Sequence, residues 1–299
     1  MLTRMSNDES TLRLQLAYRP PLAWPELINF LCQRGAPCLE QCVDQHYVRT
    51  IACGTARGWL AVTPAHTEDA LQVTAAPALA ATLPQLRQDL RRLFDLDANT
   101  KDIAAHLRQD PRLAPLIAQT PGLRIPGTMA GFELALRAIL GQQITVKAAT
   151  TVFTRFADFF GAPIATPYAG LNRLTPTAET LANANLQQII DRGLPRRRAE
   201  TIQGLATAIA DGTLRLDASQ PPADTRAALQ ALPGIGPWTA AYISLRALGD
   251  ADAFPASDLG LLRRFDLASA RKMESVAERW RPWRAYAAMY IWHSHGAGG

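Results

Sequence analysis

Alternating apolar and polar residues dominate the first quarter of the chain. The segment TLRLQLAY has the period of two that is typical of a half-buried β-strand, and YVRTIAC, GWLAVTP and LQVTAA are three further β-like runs separated by glycine or polar turns. After a proline-rich stretch, the segment ELINFLCQR places Leu27, Phe30 and Leu31 on one face of a helix. The pattern predicts a small N-terminal α/β domain with an antiparallel sheet, which we assign to residues 1–83.

The apolar period becomes helical at about Pro84 and stays helical to the end of the chain. Proline, glycine, aspartate and serine residues separate the segments, as is typical of helix boundaries. The sequence therefore predicts a larger all-α domain over residues 84–299, and the fold class is α+β. The segments with this period are LPQLRQDLRRLFDL, KDIAAHLRQD, GFELALRAILGQQITVKAATTVFTRFADFFG, AETLANANLQQII, RRRAETIQGLATAIADG, TRAALQAL, WTAAYISLRALG, SDLGLLRRF and ESVAERWRPWRAYAAMYIWHSHG.

The composition is that of a folded protein with a basic C-terminal end. The chain has 299 residues, of which 48% are hydrophobic, and this length suffices for two domains. The net charge is +5, and residues 259–299 hold seven Lys or Arg against three Asp or Glu, a net +4 that suits a polyanionic partner. No apolar run is long enough to cross a membrane, and the first ten residues lack the apolar core of a signal peptide. We therefore expect a soluble cytoplasmic protein without membrane contact.

The four cysteines lie between Cys32 and Cys53 with the spacing C-x5-C-x3-C-x10-C. Zinc sites usually pair their ligands at C-x2-4-C, and this cluster has only one such pair. Because disulfides are rare in the cytoplasm, the four residues are interpreted as reduced thiols. The sequence thus predicts no metal site.

The segment LPGIGPWTA, which begins at Leu232, separates two helical segments. A residue before proline disfavours helical backbone, so the first helix ends at Leu232, and Pro237 suits the first position of the second helix. Gly234 and Gly236 permit positive φ angles and the close approach of another molecule. Free N–H groups at the start of the second helix attract anions. The hairpin is either a phosphate-binding turn or a structural link in which Ile235 fills a core space.

Longer segments resemble the helix-hairpin-helix base-excision DNA glycosylases. The hairpin is followed by GDADAFPASD, whose last residue, Asp258, matches the aspartate that follows a Gly/Pro-rich loop in that superfamily. The segments GLRIPGTMAGFELALRAILGQQITVKAA, LPRRRAETIQGLATAI, RPWRAYAAMYIWHSHG and PPLAWPELINFLCQR are similar to the 3-methyladenine DNA glycosylase II subfamily. The resemblance covers nearly the whole chain. It implies a helix-hairpin-helix glycosylase domain that releases alkylated purines from double-stranded DNA and leaves an abasic site.

The resemblance implies that Asp258 is catalytic. Departure of a base leaves positive charge on the deoxyribose, and an ionised carboxylate near C1′ stabilises that charge and can orient or deprotonate water. An alternative role for Asp258 is to cap the helix LGLLRRF, which Ser257 could do equally well, and the two roles are compatible. No second carboxylate is evident as a general acid. This suits an N3- or N7-alkylated purine, which leaves as a neutral base without being protonated.

Four aromatic side chains are expected to form the base pocket. Trp238 and Tyr242 are four residues apart and share a helix face. The resemblance places Trp292 opposite them and adds Phe30 from the N-terminal domain, and ring faces suit a cationic purine. The alternative is that these aromatic residues are ordinary core residues. His293 stands where the best-known member of the family has another aromatic residue, which changes the polarity expected of the pocket.

The resemblance also implies the DNA contacts. Base flipping leaves a gap in the stack, and the family fills it from the segment that here reads ILGQQITV. The wedge is expected to be Gln143, where the best-known member of the family has an apolar residue, and Gln142 is expected in the minor groove. Alternatively, both form a polar helix end. Gly234, Gly236 and Thr239 are expected to bind DNA at the hairpin. No cofactor is required, although hairpin carbonyl groups in the family often hold a monovalent cation.

Two other functions compete with this hypothesis. A bifunctional glycosylase with abasic-site lyase activity needs a lysine for a Schiff base, and lyase relatives have it at the position of Trp238. Many of those relatives also have an iron–sulfur cluster beyond the hairpin, where this chain has no cysteine. A DNA-binding module without enzymatic activity would need neither Asp258 nor an aromatic pocket. We therefore expect a monofunctional glycosylase that acts as a monomer.

Overall fold

The computed structural model describes residues 11–217 and 219–294, and the first part of this chain is built on an antiparallel sheet. Within the described residues, five strands pair in the order β1-β5-β4-β3-β2. The four predicted strands are confirmed, whereas the pattern does not predict β2, because its sequence EQCV is short and lacks an apolar run. The strands are β1 (Leu12–Ala17), β2 (Glu40–Val43), β3 (His46–Cys53), β4 (Ala56–Pro64) and β5 (Ala70–Ala75).

Helix α1 (Trp24–Arg34) packs on the sheet and completes its hydrophobic core. Leu27 and Leu31 lie on its buried face, as the period predicts, and share one apolar cluster with β1, β3, β4 and β5. Helix α2 (Leu83–Leu93) adds Leu86 and further apolar side chains to the same cluster. The domain division between residues 83 and 84 stays a prediction. The apolar cluster at the sheet contains side chains from before and after this division.

A disulfide joins Cys32 of α1 to Cys42 of β2, with Cα atoms 6.0 Å apart. Cys38 and Cys53 are free and buried. The prediction of four reduced thiols is therefore wrong for the bonded pair, because the packing of α1 beside β2 brings together two residues that sequence spacing alone does not pair. Among the residues that the structure describes, no group of three or more His, Cys, Asp or Glu side chains could hold a metal ion.

Helices form most of the remaining described chain, as the period predicts. One apolar cluster includes side chains of α5 to α11, and a second includes side chains of α3, α4 and α11 to α14. Of the helices described, none is both long enough and apolar enough to span a bilayer. The bounds are α3 (Thr100–Leu107), α4 (Ala114–Gln119), α5 (Gly131–Leu140), α6 (Val146–Phe160), α7 (Ala178–Ala182), α8 (Leu186–Ile190), α9 (Arg196–Ala210), α10 (Pro222–Ala231), α11 (Pro237–Ala247), α12 (Leu259–Arg264), α13 (Ala270–Ala277) and α14 (Arg284–Ser294).

Some predicted helical segments are interrupted. The segment over residues 131–161 breaks between α5 and α6, because Gln143 has a φ of +62° and Thr145 caps α6 by accepting a hydrogen bond from the N–H of Ala148 at 3.3 Å. The segment AETLANANLQQII likewise divides into α7 and α8, where Asn185 is the cap. Helix α4 is an addition that the pattern does not predict.

A buried ion-pair network ties α5 to the sheet. Arg49 of β3 donates to Glu133 of α5 at 2.9 Å, and Arg137, one turn later, pairs with Glu133 at 2.6 Å and with Glu40 of β2 at 2.5 Å. Burial alone would raise the pKa of Glu133, but Arg49 and Arg137 lower it to about 2. Arg137 also donates to the carbonyl oxygen of Arg34 at 2.9 Å. The network therefore joins the end of α1 to α5. Removing one partner would leave a buried charge unpaired, which is strongly destabilising.

Candidate active site

The turn between α10 and α11 has the backbone that its sequence predicts. Leu232 is extended, Gly234 has a φ of +90°, and Gly236 is the N-cap of α11. A Cβ atom on Gly234 would overlap Oγ1 of Thr201 on α9, so both the φ angle and the available space require glycine here. Ile235 is buried, whereas both glycines are exposed. The hairpin thus serves as a structural link through Ile235 and leaves Gly236, the N-cap of α11, at the surface.

Gln142 connects this hairpin to the loop between α5 and α6. Its Nε2 donates to the carbonyl oxygen of Gly234 and to Oγ1 of Thr239, both at 3.1 Å. Its own carbonyl oxygen accepts from Nη2 of Arg198 at 2.8 Å. Thr239 is only 3% exposed, so its hydroxyl lies inside and positions Gln142. The contact between Arg198 and Gln142 is not predictable from the sequence, because Arg198 belongs to a run of three arginines that is typical of solvated surface.

Gln143 lies at the exposed tip of the same loop. Its φ of +62° is uncommon for a residue other than glycine, and such conformations concentrate at functional sites. The next residue, Ile144, is 37% exposed. The structure therefore brings Gln142 and Gln143 beside the hairpin, with Gln142 facing inward and Gln143 facing solvent.

Asp258 lies at the start of α12 and has both carboxylate oxygens engaged. Oδ1 accepts from the N–H of Leu261 at 3.0 Å and from Nε1 of Trp292 at 3.1 Å, and Oδ2 accepts from Nε1 of Trp238 at 2.9 Å. Asp258 is therefore the helix cap and also faces two of the predicted pocket residues. The following residue, Leu259, is 65% exposed, an apolar side chain beside the carboxylate that sequence reasoning missed.

Three of the predicted pocket residues are in direct contact. The rings of Trp238 and Tyr242 are stacked, with centroids 5.3 Å apart and an angle of 8° between planes. Trp292 of α14 is tilted by 56° against Tyr242 at 6.1 Å. Each of the three residues is half-buried. The structure thus assembles a partly open aromatic group around Asp258 from α11, α12 and α14.

Phe30 joins this group through arginine side chains. The guanidinium of Arg34 lies 3.8 Å from its ring centroid and that of Arg246 lies 5.0 Å away. Arg246 also donates to the hydroxyl of Tyr242 at 2.8 Å. Burial alone would raise the pKa of Tyr242, but Arg246 and Arg34 outweigh it and lower that pKa. Phe30 is only 6% exposed, and Arg34 already covers part of its ring, which the aromatic pattern does not predict.

A narrow crevice lies between α1 and α14 beside these rings. Phe30 and Trp292 form part of its wall, and Glu26, Arg124 and His293 add polar groups to it. The position of His293 next to Trp292 therefore brings an imidazole to the edge of the aromatic group, as the sequence predicts.

Comparison with known proteins gives two family matches that together span most of the chain. Residues 13–130 match the AlkA N-terminal domain, and residues 136–285 match the HhH-GPD superfamily base excision DNA repair protein. The second match covers the hairpin, Asp258 and most of the helices. The boundary between the two matches falls near α5.

Curated relatives are similar over nearly the whole chain. A probable bifunctional transcriptional activator/DNA repair enzyme AlkA of Mycobacterium tuberculosis (strain CDC 1551 / Oshkosh) is 38% identical over 289 residues, which cover 94% of this chain and 57% of that protein. The chain thus spans little more than half the length of that relative. DNA-3-methyladenine glycosylase 2 of Escherichia coli (strain K12) is 33% identical over 94% of this chain and 97% of its own length.

Solved structures share the fold at lower identity. A 3-methyladenine DNA-glycosylase from Archaeoglobus fulgidus superposes with a TM-score of 0.80 at 22% identity, covering 96% of this chain and 99% of its own. A Clostridium acetobutylicum 8-oxoguanine glycosylase/lyase in complex with double-stranded DNA superposes with a TM-score of 0.74 at 17% identity, covering 98% of each chain.

Proposed function

Because this chain belongs to the HhH-GPD superfamily of base excision DNA repair proteins and has an AlkA-type N-terminal domain, we propose that it is a DNA glycosylase. Its substrates are alkylated purines in double-stranded DNA, among them 3-methyladenine and 7-methylguanine. Its product is an abasic site. The observation that carries this proposal is the arrangement of Asp258, whose carboxylate is held by three N–H groups inside an aromatic cluster.

Asp258 acts on the sugar. As the glycosidic bond lengthens, positive charge develops at C1′, and a carboxylate of fixed orientation stabilises that charge. The same carboxylate orients the attacking water. The protein supplies no proton to the leaving purine, because a cationic N3- or N7-alkylated base departs neutral. The hydrogen bonds from Trp238 and Trp292 support this role because they keep the carboxylate from rotating.

The aromatic side chains receive the flipped base. The accessible parts of Trp238, Tyr242 and Trp292 supply ring faces, each worth about 0.5–2 kcal/mol toward a cation. Phe30 contributes less ring surface, because Arg34 covers part of it. Gln143 fills the gap that the flipped base leaves, and its exposed position supports this role.

The hairpin binds the DNA backbone at the N-terminus of α11, whose dipole favours an anion and whose N-cap, Gly236, is exposed. Gly234 and Gly236 permit close approach of a phosphate, and their carbonyl groups are candidates to hold a monovalent cation. The protein acts as a monomer in the cytoplasm and needs no other cofactor. Residues 263–272, which are exposed at both ends, add positive charge near Asp258 in the sequence.

Lyase activity is the second candidate, because the Clostridium neighbour is a glycosylase/lyase. The position at issue holds Trp238, whose N–H binds Asp258, and α11 has no lysine. We therefore expect an intact strand with an abasic site as product. A covalent protein–DNA adduct trapped by borohydride would favour the lyase reaction.

The test is Asp258→Asn on oligonucleotides with defined lesions. Base release in single turnover is expected to fall about a thousandfold or more, which is about 4 kcal/mol of transition-state stabilisation, while DNA binding persists. Asp266→Asn is the matched control, since Asp266 is exposed two residues after the end of α12 and asparagine tolerates its φ of +50°. Near-normal release by Asp258→Asn, or an equal loss in both variants, would refute the catalytic role.

A further inference from the structure

The disulfide between Cys32 and Cys42 is placed where small reagents can reach it. Cys42 is exposed and Cys32 is half-buried, whereas Cys38 and Cys53 are both buried. Burial, with the nearby Asp158, raises the pKa of the Cys38 thiol to about 12, which keeps it protonated and unreactive. Of the four cysteines, the bonded pair is therefore the one open to thiol–disulfide exchange.

The bond acts on the part of α1 that reaches the aromatic cluster. Phe30 and Arg34 lie two residues before and two residues after Cys32 on this helix. Arg34 donates to the carbonyl oxygen of Phe30 at 3.3 Å and covers its ring. Arg246 contacts Phe30 and donates to Tyr242. A covalent link at Cys32 therefore restrains the helical turn from which Phe30 enters the site.

The other half of the bond lies on an edge strand. β2 has four residues and pairs with β3 alone in the described sheet, so it depends on few ladder hydrogen bonds. Sγ of Cys42 lies 3.5 Å from the carbonyl oxygen of Ile28 on α1, so a thiol at this position would have an acceptor within reach. The reduced protein is thus able to keep the fold, with α1 and β2 joined by weaker contacts.

We propose that Cys32 and Cys42 form a reversible oxidation site whose closure fixes α1 against the sheet and thereby sets the position of Phe30 on the opposite, site-facing side of this helix. Disulfides in cytoplasmic proteins are usually transient and redox-sensing, and this pair has the exposure that such a role requires. The effect on α1 does not depend on the proposed reaction, whereas the effect on base release rests on it.

The oxidant is a low-molecular-weight disulfide such as oxidised glutathione. One cysteine thiolate attacks a sulfur of the small disulfide, forms a mixed disulfide and expels one small thiolate. The second cysteine thiolate then attacks the protein sulfur and expels the other small thiolate. The two cysteines lose two electrons and two protons, and the small disulfide takes up both as two thiols. A dithiol reverses the reaction.

The experiment compares the full protein equilibrated with oxidised glutathione and with a dithiol. Alkylation under native conditions, read by mass spectrometry, is expected to label Cys32 and Cys42 in the reduced form alone. The oxidised form is expected to melt about 5 °C higher, because the bond restricts the unfolded chain, although the short loop between Cys32 and Cys42 keeps the gain modest. Amide exchange in α1 is expected to be slower, and base release about threefold faster, in the oxidised form.

Cys42→Ser supplies the locked-open state and is expected to match the reduced protein in both buffers. Cys53→Ala is the matched control and is expected to keep the response of the natural chain. Failure of oxidised glutathione to form the bond, or identical melting and α1 exchange in the two buffers, would overturn the proposal. Equal base release by two forms that differ in melting would overturn the link to Phe30. Absence of base release from both forms would count against the proposed function, and the thiol, melting and exchange measurements would still decide the oxidation site.

Discussion

Two tryptophans have two roles each at the level of single residues. Their rings form part of the aromatic cluster, and their N–H groups bind the carboxylate of Asp258 at 2.9 and 3.1 Å. A hydrogen bond to a charged group contributes about 1.5–3 kcal/mol. Trp238 and Trp292 are therefore expected to orient the catalytic group as well as to hold the base.

Phenylalanine separates these roles, because Trp238→Phe and Trp292→Phe keep an aromatic ring and remove the N–H. We expect each variant to lose about tenfold or more in single-turnover release, with DNA affinity nearly unchanged. Trp283→Phe is the matched control, because Trp283 packs on Tyr286 and is not among the side chains around Asp258. Alanine at 238 or 292 should reduce release further.

The alanine variants of Trp238 and Trp292 are also expected to affect charged and neutral lesions differently. A cationic base leaves readily without help, so hypoxanthine release is expected to suffer at least as much as 7-methylguanine release. Rates on both lesions check this expectation. Unchanged hypoxanthine release together with collapsed 7-methylguanine release would indicate specific recognition of the cation instead of a permissive pocket.

The elements that carry the site were only partly predictable. Local rules were sufficient for the hairpin, since Pro233, Gly234 and Gly236 dictate their own backbone. Local rules failed between α5 and α6, where the apolar period continues through the break that exposes Gln143. They also failed for β2, because a four-residue edge strand without an apolar run has no distinctive pattern.

The two hairpin glycines are expected to respond differently to alanine. Gly234→Ala places a Cβ atom against Thr201 at a φ of +90°, so the free energy of unfolding should fall by about 2 kcal/mol. Gly236 has an ordinary φ of −88° and free space around it, so Gly236→Ala should leave stability unchanged. If the hairpin holds a phosphate, Gly236→Ala should still weaken DNA binding. Urea unfolding and DNA titration check both expectations, and unchanged affinity in Gly236→Ala would contradict the phosphate contact.

The whole molecule is joined by contacts that no sequence period encodes. Phe30 of α1 contacts the guanidinium of Arg246 on α11. The buried guanidinium of Arg124 donates to the carbonyl oxygens of Ala98 and Pro21, both at 3.1 Å. Each contact joins residues that are far apart in the chain. Arginine is also common on solvated surface, so its presence in the sequence does not indicate a buried contact. The family resemblance predicts Phe30 at the site, but no pattern in the sequence predicts the arginines.

Asp95 contacts Arg124 through its carbonyl oxygen, and its buried side chain gives the stability of the molecule a predictable pH dependence. Its Oδ2 accepts from the hydroxyl of Tyr286 on α14 at 2.7 Å, and burial raises its pKa to about 6. The ordinary value is 3.8, so between pH 4 and 6 the folded protein holds a proton that the unfolded chain has lost. The contribution of Asp95 to stability is therefore greatest at or below pH 4 and is lost as the pH rises through 6, by about 2 kcal/mol between pH 4 and 7.

Asp95→Asn tests this dependence, because asparagine keeps the shape, tolerates the φ of +52° and does not titrate. Urea unfolding at pH 4 and pH 7 is measured for both proteins, so that the titration of all other groups cancels in the comparison. The natural chain is expected to lose about 2 kcal/mol more than Asp95→Asn over this interval. Asp97→Asn is the matched control, since Arg91 lowers the pKa of the exposed Asp97 and its titration lies below the interval. Parallel pH profiles for the natural chain and Asp95→Asn would show that Asp95 is already ionised at pH 4. The proposed uptake of a proton by Asp95 in the folded protein would then be wrong.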